Sequence, residues 1–580
     1  MKHLSRKLVL PVVLSLTLLT GACSAAETAG SAASTTATSD AATSAATTTA
    51  ATTSTAAQTL AENAVAVATS DAGYDESSVV DITLTGTGAT TDSSAVTVSG
   101  STVTIAAAGT YRITGSLEDG QVVVNSAGDG TVRIILNGVD ISSSTTSPLV
   151  VTDAQDAVID LADGTQNTLA DAATYVYPDA TTDEPNAALF STADLRITGT
   201  GALTVTGNAN DGITSKDGLV IESGTITVNA VDDGIRGKDY LVVNGGTITV
   251  TAGGDGIKSD NEEDATMGYV SIADGTIGLT AGGDGIDAVT DAVVTDGAVT
   301  IDAVEKGIKG TVGVVLEGGQ ITARAVDDAI HSNGSVSVNG GTLSASSQDD
   351  GIHADADVAV RAGSIDITSS YEGIEGTTVT VDGGDISVVS SDDGINVAGG
   401  TDGVTESGGG VGGGGDAANS ANQLTINGGT LAVDAGGDGL DSNGSATITG
   451  GTITVNGPTT DGNGALDTNG TFTISGGVLT ATGSAGMAVA PDASSAQGWL
   501  ASTVTGRAGS VVRIVAADGT VVASFTPTKA FASIVYSAAG ISSGSSYTVQ
   551  IDGTSAGSFT AGEAPAGGMG GGGMGARPGG

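Results

Sequence analysis

The chain has 580 residues, 92 of them glycine, with 3% aromatic residues and a formal net charge of −47. So little aromatic volume excludes a compact globule of this length, whereas a solenoid has a thin core and needs less. The charge excludes nucleic acid and anionic lipid surfaces as partners, and it suits cations or anionic ligands bridged by cations.

The chain opens with Lys2, Arg6 and Lys7, then an apolar run from Leu8 to Leu19, then Thr20-Gly21-Ala22-Cys23. A basic, an apolar and a small-residue segment in that order read as a secretory leader. It resembles a bacterial lipoprotein signal over residues 1–22, with Cys23 as the lipidated first residue of the mature chain. Thr20 stands where such signals usually carry leucine, and an ordinary leader with an incidental cysteine is the other reading. Cys23 is the only cysteine, so no disulfide forms within the chain. The expected location is extracellular, lipid-anchored to the bacterial cell membrane.

Residues 23–70 are almost entirely Ala, Ser and Thr. They offer too little large apolar surface to fold, and a disordered tether is expected. Strand-like segments begin near Val79 and include Thr110-Tyr111-Arg112-Ile113 and Val132-Arg133-Ile134-Ile135-Leu136. Residues 71–190 are expected to form an N-terminal cap and the first rungs, because terminal repeats of solenoids are atypical.

From 191 to 485 the chain repeats. Val231 to Asp260 shows the unit: an acidic turn (Asp232-Asp233-Gly234-Ile235), a short strand (Leu241-Val242-Val243), Gly245-Gly246, and a second strand (Thr247-Ile248-Thr249-Val250) before Asp255-Gly256-Ile257. The turn glycine recurs at Gly212, Gly234, Gly256, Gly285, Gly307, Gly351, Gly373, Gly394 and Gly439, with Ala329 replacing it once. A second glycine keeps the same beat, from Gly224 and Gly246 to Gly429 and Gly451. Most intervals are 22 residues, as from Gly212 to Gly234. The strands are short, rich in Val, Ile and Thr, and alternate. A period near 22 built of such strands predicts an all-β, right-handed parallel β-helix, the hand following from the chirality of parallel crossovers. The residues Asp260 to Met267 and the glycine-rich excursion 399–422 read as loops extruded from it. Residues 486–560 break the period and predict a small C-terminal β cap. Residues 561–580 read as a disordered Gly-rich tail.

Stacking the repeats lines up acids. Asp211, Asp233, Asp255, Asp284, Asp328, Asp350, Asp393 and Asp438 immediately precede the turn glycine or its alanine replacement. Asp232, Asp327, Asp349 and Asp392 stand one residue earlier, and Asp287 and Asp441 lie beyond the turn. Two carboxylates one rung apart repel by about 1 kcal/mol in water and about 3–4 kcal/mol at an effective dielectric of about 20. A column of them calls for positive charge. Calcium takes six to eight oxygens in flexible cages and fits best. With three histidines and no second cysteine, zinc and copper are not expected. The competing reading is turn chemistry, since Asp caps any tight turn. The doubled acids favour metal, because a turn needs only one.

Ala108-Gly109-Thr110-Tyr111, Ile135-Leu136-Asn137-Gly138-Val139-Asp140-Ile141, Gly207-Asn208 through Asp211-Gly212-Ile213, and Asp232 through Asp239 together resemble a family of secreted bacterial carbohydrate-binding β-helix proteins. Its named member is a clostridial cellulose- and acidic-sugar-binding protein. The resemblance covers roughly residues 79–555. It implies a fold similar to family 9 pectate lyases, an association with calcium, and polysaccharide as the ligand class.

One tryptophan and nine tyrosines do not make a stacking platform for crystalline polysaccharide. An acidic, pectin-like or cell-wall polysaccharide bridged by calcium is the expected partner of what is read as a monomer. Tyr240, Tyr371, Lys258 and Lys309 are candidate sugar contacts. No catalytic residue is assigned. A structural or adhesive stalk and a calcium-dependent lyase are the competing functions.

Overall fold

The computed structural model of the chain describes residues 54–66, 73–128, 130–398 and 419–564. The expected leader, Cys23, residues 399–418 of the excursion, and the tail from 565 lie outside the described residues. Among those described, no helix is long and apolar enough to cross a membrane.

The repeat forms a parallel β-solenoid. Each coil contributes one strand to each of three parallel sheets. Thr225–Ala230 pairs with Thr247–Ala252, Ile235–Gly237 with Ile257–Ser259, and Leu219–Ile221 with Tyr240–Val243. The pairing continues coil by coil without a register slip through Thr322 and Ala323. Alternation decides which residues face in. In Thr247–Ala252, Ile248, Val250 and Ala252 are buried while Thr247, Thr249 and Thr251 are exposed. The turn isoleucines form an inward column, Ile213, Ile235, Ile257, Ile286, Ile308, Ile330, Ile352, Ile374 and Ile395, each essentially without exposed surface. Burying each stabilises the fold by about 1.5–3 kcal/mol before the entropy of ordering is subtracted.

The two glycine beats have different physical causes. The second glycine adopts positive φ, from 75° at Gly341 to 117° at Gly275, which a side chain disfavours. The turn glycine is instead a matter of close approach. A Cβ on Gly234 would lie 2.2 Å from Val250 Cγ1, and one on Gly285 would lie 2.3 Å from Ile301 Cγ2. The facing residue in the Ala329 coil, by the same register, is Ala345, the stacked neighbour of Ala323 and Ile367. The one turn with a methyl group thus meets the smallest neighbour. Ala345→Ile should therefore destabilise the protein by about 1–3 kcal/mol through overpacking. Adding Ala329→Gly should recover most of that loss. Equal urea midpoints for the single and double variants would disprove the pairing.

The ends close differently. At the N-terminal end Val80–Gly86 stacks in parallel on Gly109–Leu117, while the hairpin Val96–Ser99 and Thr102–Ile105 is antiparallel and passes to parallel stacking through its second strand. At the C-terminal end Ser533–Ser537 runs antiparallel to both Val478–Gly483 and Trp499–Ser502. A separate four-stranded antiparallel sheet spans Val512–Thr560 around its own core of Val512, Ile514, Tyr547 and Val549.

The tether expectation is corrected over residues 54–66. Thr55 and Gln58 form a capping box that starts helix α1 (Ala56–Glu62). The helix lies on the outer face of the third sheet, with Ala56 against Val293 and Val315. Ala56 N–H donates to Glu317 Oε2 at 2.6 Å, and Asn63 Nδ2 donates to Asp291 Oδ2 at 2.8 Å. Few apolar atoms are needed because the solenoid supplies the rest of the surface. A composition argument that treats the segment alone misses this.

Candidate metal centre

The acidic column sits at the entry to the second sheet, and its two carboxylate oxygens do different things. Oδ1 caps the next coil. Asp255 N–H donates to Asp233 Oδ1 at 2.9 Å, Asp284 N–H to Asp255 Oδ1 at 2.7 Å, and Lys306 N–H to Asp284 Oδ1 at 2.8 Å. Asp350 N–H donates to Asp328 Oδ1 at 2.9 Å, and Asp438 N–H to Asp393 Oδ1 at 2.6 Å. Turn chemistry therefore explains one oxygen of each of these five Asp, whereas Asp211 Oδ1 accepts from Asn210 Nδ2. Oδ2 points to the outward column of the sheet, whose stacked members are Thr214, Arg236, Lys258, Asp287, Lys309, His331, His353, Glu375, Asn396 and Asp441.

That second column divides the ladder. At Asp211, Thr214 Oγ1 donates to Oδ2 at 2.8 Å, and Arg236 stands 3.8 Å away. Lys258 Nζ reaches Asp255 at 2.6 Å, Asp233 at 3.5 Å and Asp287 at 3.9 Å. Lys309 Nζ lies 3.0 Å from Asp287 and 3.2 Å from Asp284. Lys306 pairs with Asp327 at 2.5 Å and Asp328 at 3.6 Å. Asp328 and Asp350 each face a histidine Nδ1 at 2.9 Å, His331 and His353 respectively. The first part of the ladder thus has basic side chains against its carboxylates, though burial and neighbouring acids still push Asp211 up to about 7 and Asp350 up to about 8.

Beyond His353 the balance ends. Between Arg361 and Arg507 the sequence has no lysine, arginine or histidine. Asp438, Asp441 and Asp467 bring carboxylate oxygens within 4.8 Å of one another, and Asp393 adds its charge to all three. Burial, then the neighbouring carboxylates, push Asp441 up to about 8 and Asp393 up to about 6. Burial and the charges of Asp393 and Asp467 push Asp438 up to about 7, against the hydrogen bond from Gly464. Burial also raises Asp467. One coil earlier, Glu372 rises to about 9, through burial and then Asp350 and Glu375.

Asn396 stacks between Glu375 and Asp441 and is 8% exposed. Its Nδ2 donates to Glu372 Oε2 at 2.7 Å, while its Oδ1 is buried with no hydrogen-bond partner. A buried carbonyl oxygen without a donor costs about 1–3 kcal/mol, so its place among carboxylates fits a cation. Carboxylates and one amide carbonyl make an all-oxygen set, the kind a hard divalent ion takes.

The structure re-sorts the expected ligands. Asp393, Asp438 and Asp441 come together where, among the described residues, no lysine, arginine or histidine pairs with them. Asp211, Asp233, Asp255, Asp284, Asp287, Asp328 and Asp350 each face an arginine, lysine or histidine of the chain. Asp327 and Asp349 line a surface depression with Glu305 and Tyr371, and with Asp328 they form a further group whose carboxylate oxygens lie within 4.8 Å of one another, where Lys306 supplies the counter-charge; Asp232 and Asp392 join neither group. Asp467 and Asn396 escaped the sequence reading. The signal for Asp467 was Ala465-Leu466-Asp467 repeating Gly439-Leu440-Asp441, and Leu466 does bridge Leu440. The signal for Asn396 was its place in the Glu375 and Asp441 column.

The aromatic candidates also change. Tyr240 is 4% exposed, stacks on Tyr269 at 5.8 Å and donates from its hydroxyl to Asp194 Oδ1 at 2.9 Å. Leu60 and Ala66 of the N-terminal segment pack over this pair. Tyr240 is therefore a packing residue. Tyr371 is 46% exposed and remains open to ligand. Lys258 and Lys309 line a cleft with Lys238 beneath the insertion carrying Asp260, Glu262 and Glu263.

Residues 99–351 match a family model described as carbohydrate-binding domain-containing protein. A relative with that description from Acetivibrio thermocellus is 38% identical over 128 residues, which is 22% of this chain and 45% of the relative. The matched stretch thus spans less than half of that relative's length. A solved structure described as a polysaccharide lyase-like protein from C. thermocellum, gadolinium derivative, is 31% identical and covers 45% of this chain and 96% of its own, with a TM-score of 0.39. The family resemblance read from the sequence holds over the matched segment.

Proposed function

We propose that this chain is a carbohydrate-binding solenoid, and that it recognises an acidic polysaccharide through calcium held at the uncompensated end of the ladder. The observation that carries the reading is the cluster of Asp438, Asp441 and Asp467 in a stretch without any basic residue, with the orphaned Oδ1 of Asn396 on the residue stacked against Asp441. These four side chains would hold the ion. Calcium prefers six to eight oxygens, so the protein leaves positions for water or for a sugar carboxylate. The ion would thereby join two anionic partners that otherwise repel. The first segment, with Cys23, would carry the solenoid on the cell surface through its lipid.

Calorimetry of calcium into chelator-treated protein, repeated with polygalacturonate, tests this. Calcium should bind and should raise the affinity for polygalacturonate. Asp441→Asn should weaken calcium at least tenfold and remove the enhancement. Calcium binding unchanged in Asp441→Asn would place the ion elsewhere. No binding at millimolar calcium would leave the ladder as turn chemistry and shift the function to a structural stalk.

A further inference from the structure

We propose that Asp350, His353 and Glu375 form a second metal site in the middle of the ladder, selective for a zinc-like transition ion and separate from the calcium end. His353 is 2% exposed. Its Nδ1 stands 2.9 Å from Asp350 Oδ2 and 3.0 Å from Glu375 Oε2. These three side chains bring one donor atom each within 4.8 Å of one another. A tetrahedral ion with bonds of about 2.0–2.1 Å spaces its donors by about 3.3 Å, so the two carboxylates need to draw back from Nδ1 by only a few tenths of an ångström. Two carboxylates and an imidazole are a borderline ligand set, unlike the all-oxygen set at Asp438, Asp441 and Asp467.

The other ring nitrogen supports the assignment. His353 Nε2 lies 3.3 Å from Asp355 Oδ1. A carboxylate behind the distal nitrogen fixes the tautomer that leaves the proximal nitrogen free for metal. His331 stacks on the ring at 5.1 Å and 14°, and its own Nδ1 faces Asp328 at 2.9 Å. The stack favours the ring orientation that faces the two carboxylates. Nδ1 now faces the two carboxylates directly, and the ion would take the place between them. Three protein donors leave one coordination position for water. Three histidines in the whole chain argue against such a site, but the coil period puts two of the three in one column.

The test uses the full chain, stripped with chelator and then held in saturating calcium, titrated with cobalt(II) chloride and separately with zinc chloride. Cobalt should give visible absorption of a four-coordinate centre, and zinc should bleach it at one equivalent. His353→Gln should abolish the band, Glu375→Gln should weaken the metal at least tenfold, and Asp355→Asn should weaken it about 10–100-fold. Asp441→Asn, which removes a calcium ligand, should leave the cobalt spectrum unchanged, so the two sites fail independently. Circular dichroism confirms that each variant is folded, and Glu375→Gln serves if His353→Gln is not. No cobalt band at millimolar metal, or an equal band in a folded His353→Gln or Glu375→Gln variant, would overturn the proposal.

Discussion

Stripped of calcium, the C-terminal coils should lose stability steadily as pH rises from about 5 to about 9, and calcium should restore it at the alkaline end. Asp393, Asp438, Asp441 and Glu372 hold their protons more tightly in the fold than in the unfolded chain, with values of about 6, 7, 8 and 9. A raised carboxyl contributes its full share of stability below the unfolded value, near pH 4. It loses that share as pH rises through the folded value. The groups facing Asp441 are Asp393, Asp438 and Asp467, all of one sign. Each pH unit of displacement corresponds to about 1.4 kcal/mol before coupling, so the set amounts to several kcal/mol. Calcium at a hundred times its dissociation constant returns about 2.7 kcal/mol.

Solenoids melt in segments, so a local probe is needed. Trp499 is the only tryptophan, is 3% exposed, and donates from Nε1 to Asp492 O at 3.2 Å beside the last coils. Its fluorescence melt should shift down by several degrees between pH 5 and 8 in chelator, and far less in calcium. Asp441→Asn should raise the chelated midpoint at pH 8 and abolish the calcium response. A chelated midpoint that is flat across this range would mean that these carboxylates are solvated and repel little.

Fold and site were legible in the sequence to different depths. The coil period, the strand alternation and the two glycine beats follow from local rules about turns and side-chain direction. They needed no knowledge of distant contacts. The choice between turn chemistry and metal binding looked like a contest because sequence names a carboxylate as one object. In the fold, Oδ1 of Asp233 caps Asp255 while Oδ2 faces Lys258, so the two readings apply to different atoms. Which acids lack a cation depends on the outward residue stacked beside each, and Arg236, Asn396 and Asp467 become relevant only when coils are aligned in three dimensions. Tyr240 was misjudged for a related reason. Its cover comes from Leu60 and Ala66, far away in sequence.

Lys258→Ala should be among the most damaging single substitutions on the solenoid surface, lowering stability by about 3 kcal/mol at pH 7. Its ammonium touches Asp233, Asp255 and Asp287, which belong to three successive coils. Burial opposes its charge, but those carboxylates outweigh burial and hold the pKa above the ordinary lysine range. The side chain is 24% exposed and its partners 10–13%, so solvent screens the cluster only in part. Removing one partner of a largely buried ion cluster costs about 3–5 kcal/mol, because the remaining charges are left uncompensated. The lower end applies here, given the exposure. The loss should shrink as pH falls and Asp233, whose carboxyl burial pushes up, takes up its proton. Millimolar calcium should also recover part of it, because the substitution recreates near Asp255 the uncompensated oxygen cluster found at Asp441. Lys258→Met, which keeps the aliphatic stem, separates lost packing from lost charge. Should both variants melt within a degree of the parent at pH 7, the charge of Lys258 would not be what makes the first part of the ladder stable.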